Sequence, residues 1–139
     1  MTRLRSAPGF TLVELLVVLA ILALLAAVVT PQVLKYLARA KVNTTQVQIQ
    51  NLSTALDLFH VDVGRYPTTA EGLKALTEAP SGTSNWAGPY VKRADPLMDP
   101  WGHPYNYRSP GEHGEFDLFS LGPENGGSAS NESQVIANW

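Results

Sequence analysis

Hydrophobic and polar positions divide the chain into two stretches of different character. Every residue from Leu15 to Val29 is apolar, and the run from Phe10 to Val29 is broken only by Thr11 and Glu14. A helix rising about 1.5 Å per residue covers about 30 Å over that run, the thickness of a bilayer core. Beyond Pro31 the pattern becomes amphipathic. Leu34, Ala38 and Val42, then Ile49, Leu52, Leu56, Phe59 and Val63, recur at helical spacing, the last five at intervals of 3, 4, 3 and 4. Pro31 lacks an N–H and is expected to kink or loosen the helix near the outer membrane face. Gly64 and Pro67 mark its end.

Thr68 and Glu71 have capping-box spacing, so Ala70 to Glu78 is predicted as a short helix closed by Pro80. A polar loop follows from Ser81 to Ala87. Three β-type runs come next, Pro89–Arg93, Tyr105–Ser109 and Glu115–Ser120, with the hairpin-length connection Pro110–Gly114 between the last two. Tyr105 and Tyr107 alternating against Phe116 and Leu118 give each strand one buried face. The predicted class is therefore α+β. A long N-terminal helix, membrane-spanning in its first half and amphipathic in its second, packs on a short helix and a small three-stranded antiparallel sheet.

Length and charge narrow the function. At 139 residues the chain holds one small folded domain plus attachments. A formal net charge of -2 offers no global basic field for nucleic acid, and the absence of Cys excludes disulfides, thiolate metal sites and a cysteine nucleophile. Arg3 and Arg5 precede the apolar run and no basic residue follows it until Lys35, so the N-terminus stays in the cytoplasm and the remainder is exported. A secretory signal peptide cut near Ala26 and Ala27 is the plainer alternative. Against it stand the length of the run, the carboxylate near its start and the helical pattern that continues beyond Pro31.

That carboxylate, Glu14, is the informative residue, because an ionised side chain in lipid is costly and points to function. Proximity to the interface and to the positive end of the helix dipole explains how it is tolerated. A cation one turn away would explain its purpose, but positions 10, 11, 17 and 18 are Phe, Thr, Val and Val. Cleavage between Gly9 and Phe10 would create one, the new amine of Phe10 standing four residues from Glu14 on the same helix face.

Gly9-Phe10-Thr11-Leu12-Val13-Glu14, after a basic leader and before an apolar helix, resembles the processing signal of type IV pilins and pseudopilins. The body narrows the resemblance to the major pseudopilin of type II secretion systems. The matching pieces are Arg65-Tyr66-Pro67-Thr68-Thr69, Glu71-Gly72-Leu73, Tyr90-Val91-Lys92-Arg93, Asp99-Pro100-Trp101-Gly102, Pro110-Gly111-Glu112-His113-Gly114, Asp117-Leu118 and Asn138-Trp139. Major pilins usually carry a C-terminal disulfide loop, which a chain without Cys cannot form. The resemblance implies a leader at residues 1–9, a transmembrane and filament-core helix at 10–30, and a periplasmic pilin-like domain at 31–139. A prepilin peptidase would cut after Gly9, Phe10 would be N-methylated, and Glu14 would pair with an N-terminal amine during assembly. The chain would sit in the inner membrane as a single-pass subunit with a cytoplasmic N-terminus. Its partners would be copies of itself, minor pseudopilins, the peptidase, an inner-membrane assembly platform and, before assembly, membrane lipid. A pilin-like fibre for adhesion or DNA uptake is the alternative, and an anchored or secreted binding domain a third.

No enzyme is expected. His60, His103 and His113 lack partners at metal-ligand or catalytic spacing, and no nucleophile or nucleotide motif is present. Asp57 and Asp62 are expected to be solvated, Trp101 to anchor a loop and Trp139 to pin the terminus. The family resemblance implies calcium in the loop before the terminal Trp, held by several Asp residues. Residues 122–134 of this chain contain no Asp, leaving Glu124, Asn125, Asn131 and Glu132 as the nearest oxygen donors. Calcium, a hard ion seeking 6 to 8 oxygens, is accordingly expected to bind weakly or not at all, with no other cofactor required.

Overall fold

The computed structural model describes residues 9–92, 97–124 and 135–139. Helix α1 spans Leu12–Val63 and continues through Pro31. Pro31 cannot donate to Ala27, and in that same turn the Thr30 hydroxyl donates to the Ala26 carbonyl at 2.7 Å. Gly64 ends the helix. Its N–H donates to the His60 carbonyl at 2.8 Å while its backbone takes φ +83°, a left-handed conformation that side-chain-bearing residues rarely adopt.

The chain divides into two compact units, Met1–Ala38 and Arg39–Trp139. In the first, every described residue is exposed, including the whole apolar run. The second contains the core. Ile49, Leu52, Ala55, Leu56 and Phe59 supply the α1 side of it, which is the predicted stripe with Ala55 added and with Val63 only partly buried against it. Leu73, Ala75 and Leu76 contribute from a 3₁₀ helix, Gly72–Leu76, and Tyr105, Phe116 and Leu118 from the sheet region. Higher on α1 the stripe loses its cover, and Val42 is 40% exposed.

The sheet is antiparallel with order β1 (Asn106–Arg108), β2 (Asp117–Ser120), β3 (Ile136–Ala137). Tyr107 pairs with Leu118 and Phe119 with Ala137. The predicted strand at Pro89–Arg93 does not form over its described residues, and the third strand is β3 instead. The reason is local. Pro89 has no N–H, the Tyr90 N–H is spent on the Leu76 carbonyl at 2.8 Å, and the Tyr90 hydroxyl donates to Asp62 at 2.8 Å, so this segment is fastened to helices. The predicted short helix is likewise tighter and shorter than Ala70–Glu78. Its capping box does form, with the Glu71 N–H donating to Thr68 Oγ1 at 3.2 Å and the Thr68 N–H to Glu71 Oε2 at 2.8 Å. Gly72 then turns at φ +59°, which interrupts an α-helical path.

Candidate functional site

Gly9 and Phe10 lie just before α1, both exposed, with Phe10 at 93%. A Cβ built on Gly9 meets nothing within 4 Å, so the described fold itself does not demand glycine there.

Thr11 caps the helix. Its hydroxyl accepts the Glu14 N–H at 3.2 Å, and the Glu14 carboxylate accepts both the Thr11 N–H at 3.0 Å and the Thr11 hydroxyl proton at 3.2 Å. This is the same reciprocal arrangement as Thr68 with Glu71, and the Thr-x-x-Glu spacing is a signal for it. Glu14 thus has neutral partners at the helix start.

In the body, two buried carboxylates organise the loops. Asp99 Oδ1 accepts the Trp101 N–H at 3.0 Å and the His103 N–H at 2.8 Å, while Oδ2 accepts the Ser120 hydroxyl at 2.6 Å. Asp117 Oδ2 accepts the Glu112 N–H at 2.8 Å and the Arg108 guanidinium at 3.0 Å, and Oδ1 accepts the His113 N–H at 3.1 Å. Burial pushes the Asp117 carboxyl upward, but the donors from Glu112, Arg108 and His113 outweigh it and hold the group well below the usual carboxylate range. The Pro110–Gly114 connection closes around this carboxylate, and a Cβ at Gly111 would lie 2.6 Å from Asp117 Oδ1. Asp57 is exposed, as expected, and also accepts the Tyr66 hydroxyl at 3.0 Å, whereas Asp62 is only half-exposed and accepts the Tyr90 hydroxyl at 2.8 Å. Trp101 underlies Lys41, whose Nζ is 5.9 Å from the ring centroid.

Among the described residues, no group of three His, Asp or Glu side chains is placed to hold a metal. Of the calcium candidates, the backbone of Glu124 ends a 3₁₀ turn, Gly122–Glu124, while Asn125, Asn131 and Glu132 lie outside the described residues. Asp99 and Asp117 are already occupied by protein donors, so the loop would have to supply its own ligands.

The family model described as Type II secretion system (T2SS), protein G matches residues 32–139, and that of the prokaryotic N-terminal methylation motif matches residues 4–30. The chain belongs to the type II secretion system protein G family. Members named type II secretion system core protein G include one from Pseudomonas aeruginosa, 42% identical over 97% of this chain and 96% of the relative. Another from Vibrio cholerae serotype O1 is 38% identical over 100% and 96%. The crystal structure of the major pseudopilin from the type 2 secretion system of enterohaemorrhagic Escherichia coli superposes with a TM-score of 0.65 at 32% identity, covering 76% of this chain and 87% of that one. For this protein G family member, an adhesion or DNA-uptake fibre is accordingly not the favoured reading. The methylation-motif match ends at residue 30, one residue after the exposed apolar run ends at Val29.

Proposed function

We propose that this chain is the polymerising subunit of a periplasmic pseudopilus that helps export folded proteins across the outer membrane. It is made with a leader at residues 1–9, held in the inner membrane by residues 10–30 with its N-terminus in the cytoplasm, and carries residues 31–139 in the periplasm. A prepilin peptidase cuts between Gly9 and Phe10, and Phe10 is N-methylated. Copies of the chain then assemble on an inner-membrane platform together with minor pseudopilins. The subunit works by packing and needs no catalytic group. No metal is required either, and the calcium site that the family resemblance implies is weak or lost in this chain.

The observation that carries this reading is an apolar helical segment that no described part of the fold covers, opening on a capped carboxylate next to an exposed Gly-Phe bond. Before assembly lipid covers that segment, and in the filament other copies do. Moving it from lipid into a helix bundle brings little hydrophobic gain, since lipid is equally apolar, so polar contacts have to specify register. Glu14 supplies such a contact when it exchanges Thr11 for an amine of Phe10, a charged donor in a water-poor setting. Glu14→Val tests this. The variant should still insert and be cleaved but yield far fewer sheared filaments and less secretion, and normal filament yield would reject the role of Glu14.

A further inference from the structure

Between residues 15 and 56 the chain contains no Asp or Glu but three basic residues, Lys35, Arg39 and Lys41. Lys41 is already placed over Trp101. Lys35 and its neighbour Tyr36 are exposed on α1, Tyr36 at 68%. From the membrane placement argued above, on which this inference rests, we infer that the basic stretch beginning at Lys35 is a seat for anionic phospholipid headgroups on the outer leaflet.

Depth decides the occupant. The apolar run ends at Val29, and Lys35 follows six residues later, about 9 Å further along the helix axis. Helical side chains lean back toward the helix N-terminus, which here is the membrane side. An extended lysine leaning back by about one turn carries its ammonium to within about 4 Å of the hydrocarbon edge, inside a headgroup layer about 5–7 Å thick. Tyr36 is an amphipathic ring at the same level, the residue type enriched at membrane interfaces. Arg39 follows one turn further on, its charge about 10 Å from the hydrocarbon edge and so just outside that layer. The three residues therefore rank Lys35 first, Arg39 second and Lys41 last. A second copy of the chain could also offer carboxylates to this stretch, but lipid phosphate is present at the depth of Lys35 for as long as the subunit resides in the membrane.

The processed full chain reconstituted in phosphatidylcholine vesicles, with or without phosphatidylglycerol, tests this. Because the chain has no cysteine, a single Leu37→Cys carries a donor dye at this depth. Energy transfer to acceptor-labelled phosphatidylglycerol should report about fivefold enrichment over acceptor-labelled phosphatidylcholine at 50 mM salt, collapsing at 0.5 M. Lys35→Gln should abolish most of the preference, Arg39→Gln part of it and Lys41→Gln none. Equal transfer to both lipids at low salt, or a preference that survives Lys35→Gln with Arg39→Gln, overturns the inference. So would salt-sensitive cross-linking between subunits through Lys35 without lipid preference, which assigns the stretch to a second copy. Failure of the chain to float with the vesicles would instead reject the membrane placement itself.

Discussion

The imidazole of His113 lies flat on the indole of Trp139, with ring centroids 4.0 Å apart and planes 3° from parallel. Phe119 meets the same indole edge-on at 5.8 Å. Beside the stack, the Asn138 side chain substitutes for a strand partner. Its Oδ1 accepts the Leu118 N–H at 2.9 Å, its Nδ2 donates to the Phe116 carbonyl at 3.2 Å, and its backbone N–H donates to the Leu118 carbonyl at 3.0 Å. Residues 138 and 139 thus hold the two-residue strand β3 to the sheet. Asn138→Ala should cost about 1 kcal/mol by leaving a strand donor and acceptor unpaired. In a domain of this size that lowers Tm by about 4–8 °C. Hydrogen exchange should show the loss first at Ile136 and Ala137.

Asp117 organises the neighbouring connection, and replacing it should be the more damaging change. Asp117→Ala leaves the Glu112 and His113 N–H groups without their acceptor and Arg108 without its buried partner. Its Tm should fall further than that of Asn138→Ala, and Glu112→Ala, at an exposed position, should fall least. Gly111→Ala should resemble Asp117→Ala, because its added methyl collides with the same carboxylate.

Much of this body is legible in the residue pattern. The stripe from Ile49 to Phe59 forms one face of the core, and Thr68 with Glu71 forms its capping box. What escapes the pattern has physical causes. Ile136 and Ala137 are too few for any alternation to appear, and they pair because Asn138 and Trp139 hold them in place. Pro89 to Arg93 has strand-like composition, yet the hydrogen bonds of Tyr90 go to Leu76 and Asp62. The identical Thr-x-x-Glu spacing at Thr11 and Glu14 is easily passed over, because a carboxylate in an apolar run invites a search for a cation rather than a backbone donor.

Acid should reveal the pairing of Arg65 with Glu71, which is bidentate at 2.7 and 2.8 Å. The Arg65 hydrogen bonds, with help from the Thr68 N–H and against a burial effect, pull the Glu71 carboxyl from 4.5 down to about 2. A carboxyl whose pKa is depressed on folding contributes stability above its unfolded value and loses it as pH falls toward the folded one. The contribution is therefore complete above about pH 5 and disappears between about pH 4.5 and 2. Since the pair lies near the surface, its size is on the order of 1 kcal/mol. Urea melts of Glu71→Gln should lie below the parent at neutral pH and converge with it near pH 2.

Calcium should matter little to this chain. With no Asp among residues 122–134 and with Asp99 and Asp117 already engaged, few carboxylates remain for a hard cation. Melts of the body, residues 35–139, should move little between millimolar Ca²⁺ and chelator. A large upward shift abolished by Glu124→Ala or Glu132→Ala would show an altered but working site.

Where the mature chain begins decides whether this chain is processed as a pseudopilin. Processing as a pseudopilin removes residues 1–9 and leaves the whole apolar segment in place, whereas conventional signal peptidase would remove that segment. Intact mass of the membrane-purified protein, with N-terminal sequencing, separates the two. The expected result is a chain that starts at Phe10 and carries one N-methyl group. A chain starting near Val28 would contradict it.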